Sequence, residues 1–117
     1  MKNKLTKKFK EKWIAALRSG SYEQGKSYLF DGEGYCCLGV ACALVGVQDS
    51  LMEDRSWPWY LKGYLPNNFP KLLLEDITNY NPDHPTSRQK TPVTKLAAMN
   101  DHGRSFKYIA NWIEKNL

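Results

Sequence analysis

Tyr35-Cys36-Cys37-Leu38-Gly39-Val40-Ala41-Cys42-Ala43-Leu44-Val45-Gly46-Val47 contains no charged side chain and no side-chain amide, and it holds all three cysteines of a 117-residue chain. Leu38, Ala41, Cys42 and Val45 recur at i, i+3, i+4 and i+7, one continuous apolar helix face. Gly39, Ala43 and Gly46 form a second face of very small side chains, suited to close backbone approach. An element that is apolar all round must be buried. The spacing therefore predicts a central core helix over about residues 37–45, and the rest of the fold is read around it.

Upstream, Asp31-Gly32-Glu33-Gly34 has the composition of a hairpin turn, since Asp-Gly supplies the positive φ that tight hairpins need. Ser27-Tyr28-Leu29-Phe30 and Tyr35-Cys36 are then its two short strands. Before them, Leu5, Phe9, Trp13, Ala16 and Leu17 predict an amphipathic helix over about residues 6–19, capped by Thr6 and stopped by Gly20. Downstream, residues 47–70 are rich in aromatic residues and proline and read as an irregular layer over the core. A helix over roughly 68–79 follows, with Asn67 or Asn68 as cap and Leu72, Leu73, Leu74 and Ile77 inside. Residues 79–90 read as an exposed loop. Thr91-Pro92 opens another helix with Val93, Leu96, Ala97 and Asn100 on one face. Asp101-His102-Gly103 turns the chain, and Ser105 caps a last helix with Phe106, Ile109, Ala110, Ile113 and Leu117 inward. The expected fold is a small single α+β domain over residues 1–117: a buried central helix, a short β-hairpin and three to four surrounding helices, with 47–90 variable.

The net charge is +5, and residues 1–30 carry +6 of it against −1 for the remainder. A local positive field favours an anionic partner. The longest apolar run is too short for a transmembrane helix of about 20 residues, and no signal-length apolar stretch follows the basic N-terminus. No membrane association is expected. An odd cysteine count without an export signal points to reduced thiols in the cytoplasm.

Four constellations bear on chemistry. Cys37, at a helix N-terminus beside Cys36, has the setting that lowers a thiol pKa, and His84, His102 and Asp101 are downstream base and carboxylate types. A cysteine hydrolase using Cys37, His102 and Asp101 is one reading, against Cys36, Cys37 and Cys42 packing as small hydrophobes. Those three cysteines with one histidine fall short of the paired spacing that structural zinc prefers, so no metal and no cofactor is expected. Residues 96–110 read as helix, glycine turn, helix, which resembles a DNA-binding helix-turn-helix with Arg104, Ser105, Lys107, Tyr108 and Asn111 facing the duplex. Arg104 stands where that family places an apolar anchor, and the second helix is short of arginines for reading bases. Lastly, Arg18, Gln24 and Lys26 lie between the first helix and the hairpin. With Tyr35, the free donors at Cys37, Asn100 and Asp101 they make a candidate pocket for a small anionic or nucleotide ligand.

The pattern Trp13…Ala16-Leu17-Arg18-Ser19-Gly20…Gln24-Gly25, then Tyr35-Cys36-Cys37-Leu38-Gly39-Val40-Ala41-Cys42, then Leu96-Ala97-Ala98-Met99-Asn100-Asp101-His102-Gly103-Arg104-Ser105-Phe106 and Ile109-Ala110 resembles a family of short uncharacterised bacteriophage and bacterial proteins. The likeness spans both ends and skips residues 47–90. It implies a small cytosolic accessory protein, phage-encoded and directed at a host defence, either by sequestering a nucleotide or by blocking a host protein. The expected function is binding without chemistry of a small anionic or nucleotide-like ligand. Arg18 and Lys26 would hold phosphate, Gln24, Asn100 and Asp101 would hydrogen-bond, and Tyr35 would stack. DNA binding and thiol hydrolysis are the alternatives.

Overall fold

The computed structural model describes residues 5–26, 28–53, 55, 65–79 and 92–117, with backbone alone over 76–79. Its elements are set by local signals at their ends. Thr6 is extended and its hydroxyl accepts the Phe9 N–H at 3.3 Å, starting α1 (Lys7–Ser19). Gly20, at φ 77°, ends it in the left-handed region that a side chain resists. The apolar stripe of α1 buries Trp13, Ile14 and Leu17.

Helix α2 (Cys37–Leu44) is the buried central element, with Cys37 through Cys42 all out of solvent. Its N-cap is a thiol: Cys36 Sγ accepts the Gly39 N–H at 3.3 Å. Gly39 is required on packing grounds, because a Cβ there would run into the backbone of Leu29. A short helix α3 (Asp49–Met52) follows inside the stretch expected to be irregular, and buries Met52. Helix α4 (Lys71–Asn79) starts after Pro70 rather than at residue 68. A proline biases the residue before it away from helical backbone. Here Phe69 instead donates its N–H to Pro66 O at 3.0 Å and buries its ring, so neither Asn67 nor Asn68 caps the helix. The expected loop over 79–90 and the cap Thr91 lie outside the described residues, apart from Asn79, which ends α4. Helix α5 (Pro92–Asp101) turns its Val93, Leu96, Ala97 and Asn100 face inward. Ser105 caps α6 (Phe106–Asn116) through Oγ, which accepts the Tyr108 N–H at 3.1 Å.

Packing is helix on helix. α1 lies mainly along α6 and also on α2, α2 lies on α5, and α5 joins α4 to α6. Trp13 is fully buried and ties two of these layers, its Nε1–H donating to Cys37 O at 3.0 Å.

The expected β-hairpin is absent. Among the described residues there is no strand, so the class is helical rather than α+β, with six helices. What remains is isolated bridges joining Phe30 to Tyr35 and to Glu53, and Gln24 to Tyr35. The cause lies in where the backbone groups go. Asp31 Oδ1 captures the N–H groups of Gly34 at 2.7 Å and Glu33 at 2.9 Å, closing a local turn. The Gly34 and Glu33 donors also hold the Asp31 carboxyl below its ordinary pKa. Tyr35 spends its N–H on Glu23 O and its carbonyl on Gly25, while Leu29 donates to Arg55 O. With pairing divided among three segments, no ladder extends. Gly25 and Gly34 let two of those segments touch, since a Cβ on either would sit within 3.0 Å of the other's backbone.

Candidate functional site

Asn100 is where the expected pocket residues meet, and its role there is structural. Its side chain is fully buried. Oδ1 accepts from Cys37 N–H at 3.2 Å and from Gln24 Nε2 at 3.1 Å, and Nδ2 donates to Gly25 O at 2.8 Å. Gln24 Nε2 also donates to Arg104 O at 2.7 Å. These four bonds clasp the first turn of α2, the 24–25 segment and the α5–α6 turn. Engaged at both ends and fully buried, this amide is closed to a ligand arriving from solvent.

The other expected pocket residues are dispersed. Arg18 pairs across the α1–α6 surface with Asn111 Oδ1 at 2.6 Å and Glu114 Oε1 at 3.2 Å, roughly 9 Å along α6 from its start. Tyr35 is not a free stacking face. Its ring packs on Phe30 at 4.7 Å and edge-on to Tyr22 at 5.3 Å, and its hydroxyl donates to Asp49 Oδ1 at 2.7 Å. Burial and the Asp49 carboxylate raise its pKa to about 12.

The thiols pack as small buried groups, away from the setting that the hydrolase alternative needs. All three are free and buried. Burial raises the pKa of Cys36 to about 11, and raises Cys37 and Cys42 well above the ordinary thiol value. Asp101 is near enough to add to the shift at Cys36 and Cys37. Desolvation thus outweighs the helix N-terminus that would have activated Cys37. Cys37 Sγ instead lies 3.5 Å from Leu96 O, to which it donates weakly. His102 is exposed, and His84 lies outside the described residues. Among the described residues no three His, Cys, Asp or Glu side chains are grouped to hold a metal ion. No helix among them is long and apolar enough to cross a membrane.

The chemistry left at the surface gathers at residues 102–105, between α5 and α6. The Arg104 guanidinium lies 4.9 Å from the centroid of the Tyr108 ring, which is 46 % exposed. The Lys26 ammonium reaches the same turn, 3.7 Å from where a Cβ on Gly103 would stand. Gly103 itself turns the chain at φ 87°. Asp101, His102 and Lys107 are exposed alongside. Ser105 Oγ takes the Tyr108 N–H, and the amides of Phe106 and Lys107 precede the first intrahelical acceptor. Of the expected ligand set, this turn gathers Lys26 and Asp101. It adds Arg104 and Tyr108, whose i, i+4 spacing marks them as neighbours on a helical path. An open groove of about 340 Å³ lies elsewhere, lined by Val45, Gly46, Val47, Gln48, Leu51 and Pro66, with no titratable side chain.

No curated protein and no solved structure matches the chain. A family model described as a domain of unknown function (DUF8296) matches residues 5–117, which places the chain as a member of that family.

Proposed function

We propose that the protein is a non-enzymatic binder of a small phosphate-bearing, nucleotide-like ligand, held at the α5–α6 turn. The observation that carries this reading is Arg104 seated over the exposed Tyr108 ring with the Lys26 ammonium at the same turn. Guanidinium and ammonium recognise phosphate, and the amides at the start of α6 add fixed donors. Tyr108 offers its face away from Arg104 to a base. Binding without thiol chemistry is supported by the cysteines, which are buried with raised pKa values, since a nucleophile needs both access and ionisation. Action against a host pathway carries over from the resemblance and belongs to the same proposal.

Isothermal titration with a panel of ribonucleoside mono- and diphosphates tests it. Wild-type protein is expected to bind at least one of them, and Arg104→Ala to weaken that binding about tenfold or more. The ligand should return intact after heat release. Absence of binding across the panel, undiminished binding by Arg104→Ala, or recovery of a cleaved product each overturns the reading.

DNA binding through α6 is supported by the helix–turn–helix connection itself. It is weakened one turn further on, where Asn111 is engaged by Arg18 and the next exposed residue on that row, Glu114, is acidic.

A further inference from the structure

Helix α1 presents Lys7, Lys8 and Lys12 to solvent, with Lys10 half-buried and Glu11 the one acidic residue among them. None of the four lysines has a carboxylate within 4.0 Å among the described residues. We infer that this outward face of α1 is a docking surface for nucleic acid, gripping the phosphate backbone of a duplex independently of the α5–α6 turn.

Three observations lead there. The first is that the lysines are badly placed for stability. The first turn of α1 holds no acidic residue and two lysines, where the macrodipole and the unpaired amides favour carboxylates. A tail needed only for solubility gains nothing from setting its charge against the helix dipole. The second is that α1 has no apolar surface to give to a lipid bilayer. Trp13, Ile14 and Leu17 are buried, and Phe9 packs on Trp13 with ring centroids 5.8 Å apart. An interfacial membrane helix must insert that face, and here the core has taken it. The third is the spacing. Lys8 and Lys12 are one turn apart on the same row, a rise of about 6 Å, close to the advance of two phosphates of one strand measured along the duplex axis. No aromatic or amide side chain stands on this face to read a base. The grip is therefore on the backbone and independent of sequence.

Fluorescence anisotropy with a labelled duplex DNA of random sequence tests the surface. Contacts from the three exposed lysines, Lys7, Lys8 and Lys12, predict affinity falling about 40-fold between 50 and 200 mM salt. The double variant Lys8→Glu, Lys12→Glu should lose binding at least tenfold and show roughly a third of the salt slope. Glutamate suits the first turn at position 8, which offsets the like-charge i, i+4 pair it makes with position 12, so the same variant should keep its far-UV circular dichroism and melt within a few degrees of wild type. Its nucleotide titration should be unchanged, whereas Arg104→Ala should leave duplex binding within about twofold. Loss of one property without the other separates the two surfaces. The inference is overturned by no duplex binding at 50 mM salt, by equal binding of the lysine variant, or by capture on phosphatidylserine vesicles in place of DNA.

Discussion

At the scale of single residues, Asn100 carries more of the architecture than any other polar side chain described. It is fully buried, yet both ends of its amide are used, on three backbone segments or side chains that no regular element joins. Truncation removes the partner of the Cys37 N–H and of the Gly25 carbonyl together. Neither group can reach water, so each carries its desolvation cost. Asn100→Ala is expected to lower stability by about 2–4 kcal/mol, read as the shift in urea midpoint at constant slope. The neighbouring exposed His102 is the contrast, and His102→Ala should stay within about 0.5 kcal/mol. A loss below about 1 kcal/mol for Asn100→Ala would show that water replaces the amide and that the clasp is incidental. A buried asparagine was visible in the sequence as a polar residue on the inner face of α5. Its partners were not, because Gln24 and Cys37 lie 76 and 63 residues away in the chain.

At the scale of elements, the signals that worked are local and chemical. Thr6 with Gly20 bounded α1, Ser105 started α6, and the uncharged run marked α2 as the core helix. The hairpin failed because Asp31-Gly32 states only that the chain turns. Whether the flanking residues pair with each other depends on competing partners, here Glu23, Gly25 and Arg55, that local patterning does not weigh. The pocket failed for a related reason. Arg18, Tyr35 and Asn100 have the right functional groups, but each is already committed, to Glu114 and Asn111, to Asp49, and to the clasp. Gly39 offers a test of how an element's neighbours override its propensity. In an isolated helix, alanine is favoured over glycine by about 1 kcal/mol. In α2 the added methyl would meet the main chain of Leu29, which cannot rotate away as a side chain would. Gly39→Ala is expected to destabilise by about 2 kcal/mol or more. At Gly20 nothing lies within 4 Å of a new Cβ, and only φ 77° opposes it, so Gly20→Ala should cost about 1–2 kcal/mol. Melting temperatures of the two variants give the order, and a Gly39→Ala protein as stable as wild type would mean that α2 can slide away from Leu29.

At the scale of the whole molecule, the thiols show what the core is for. Cys36 caps α2, the Cys37 carbonyl receives Trp13 from α1, and the Cys37 thiol reaches Leu96 on α5. The cysteines thus occupy a junction of three helices as small apolar groups, and the junction stays dry only while all three are packed. Burial raises each thiol, Cys36 to about 11, while the same groups in an unfolded chain ionise near 9.0. Folding therefore favours the protonated form, and the linkage has one sign. More than about one unit below pH 9.0 both states hold their thiol protons and stability is unaffected by them. As the pH rises through the interval between 9.0 and about 11, the unfolded chain releases protons that the folded one keeps, and stability falls. Tyr35, raised from 10.0 to about 12, extends the loss upward. The expected outcome is a melting temperature that is level to about pH 8, begins to fall toward pH 9 and drops steeply above it, in the presence of a reductant that keeps the thiols free. Native protein held just above pH 9 should show no thiolate absorbance in the ultraviolet, and adding urea should bring it out. Thiolate signal from the native state in that range would mean that the first turn of α2 opens to water, and would restore Cys37 as a reactive group.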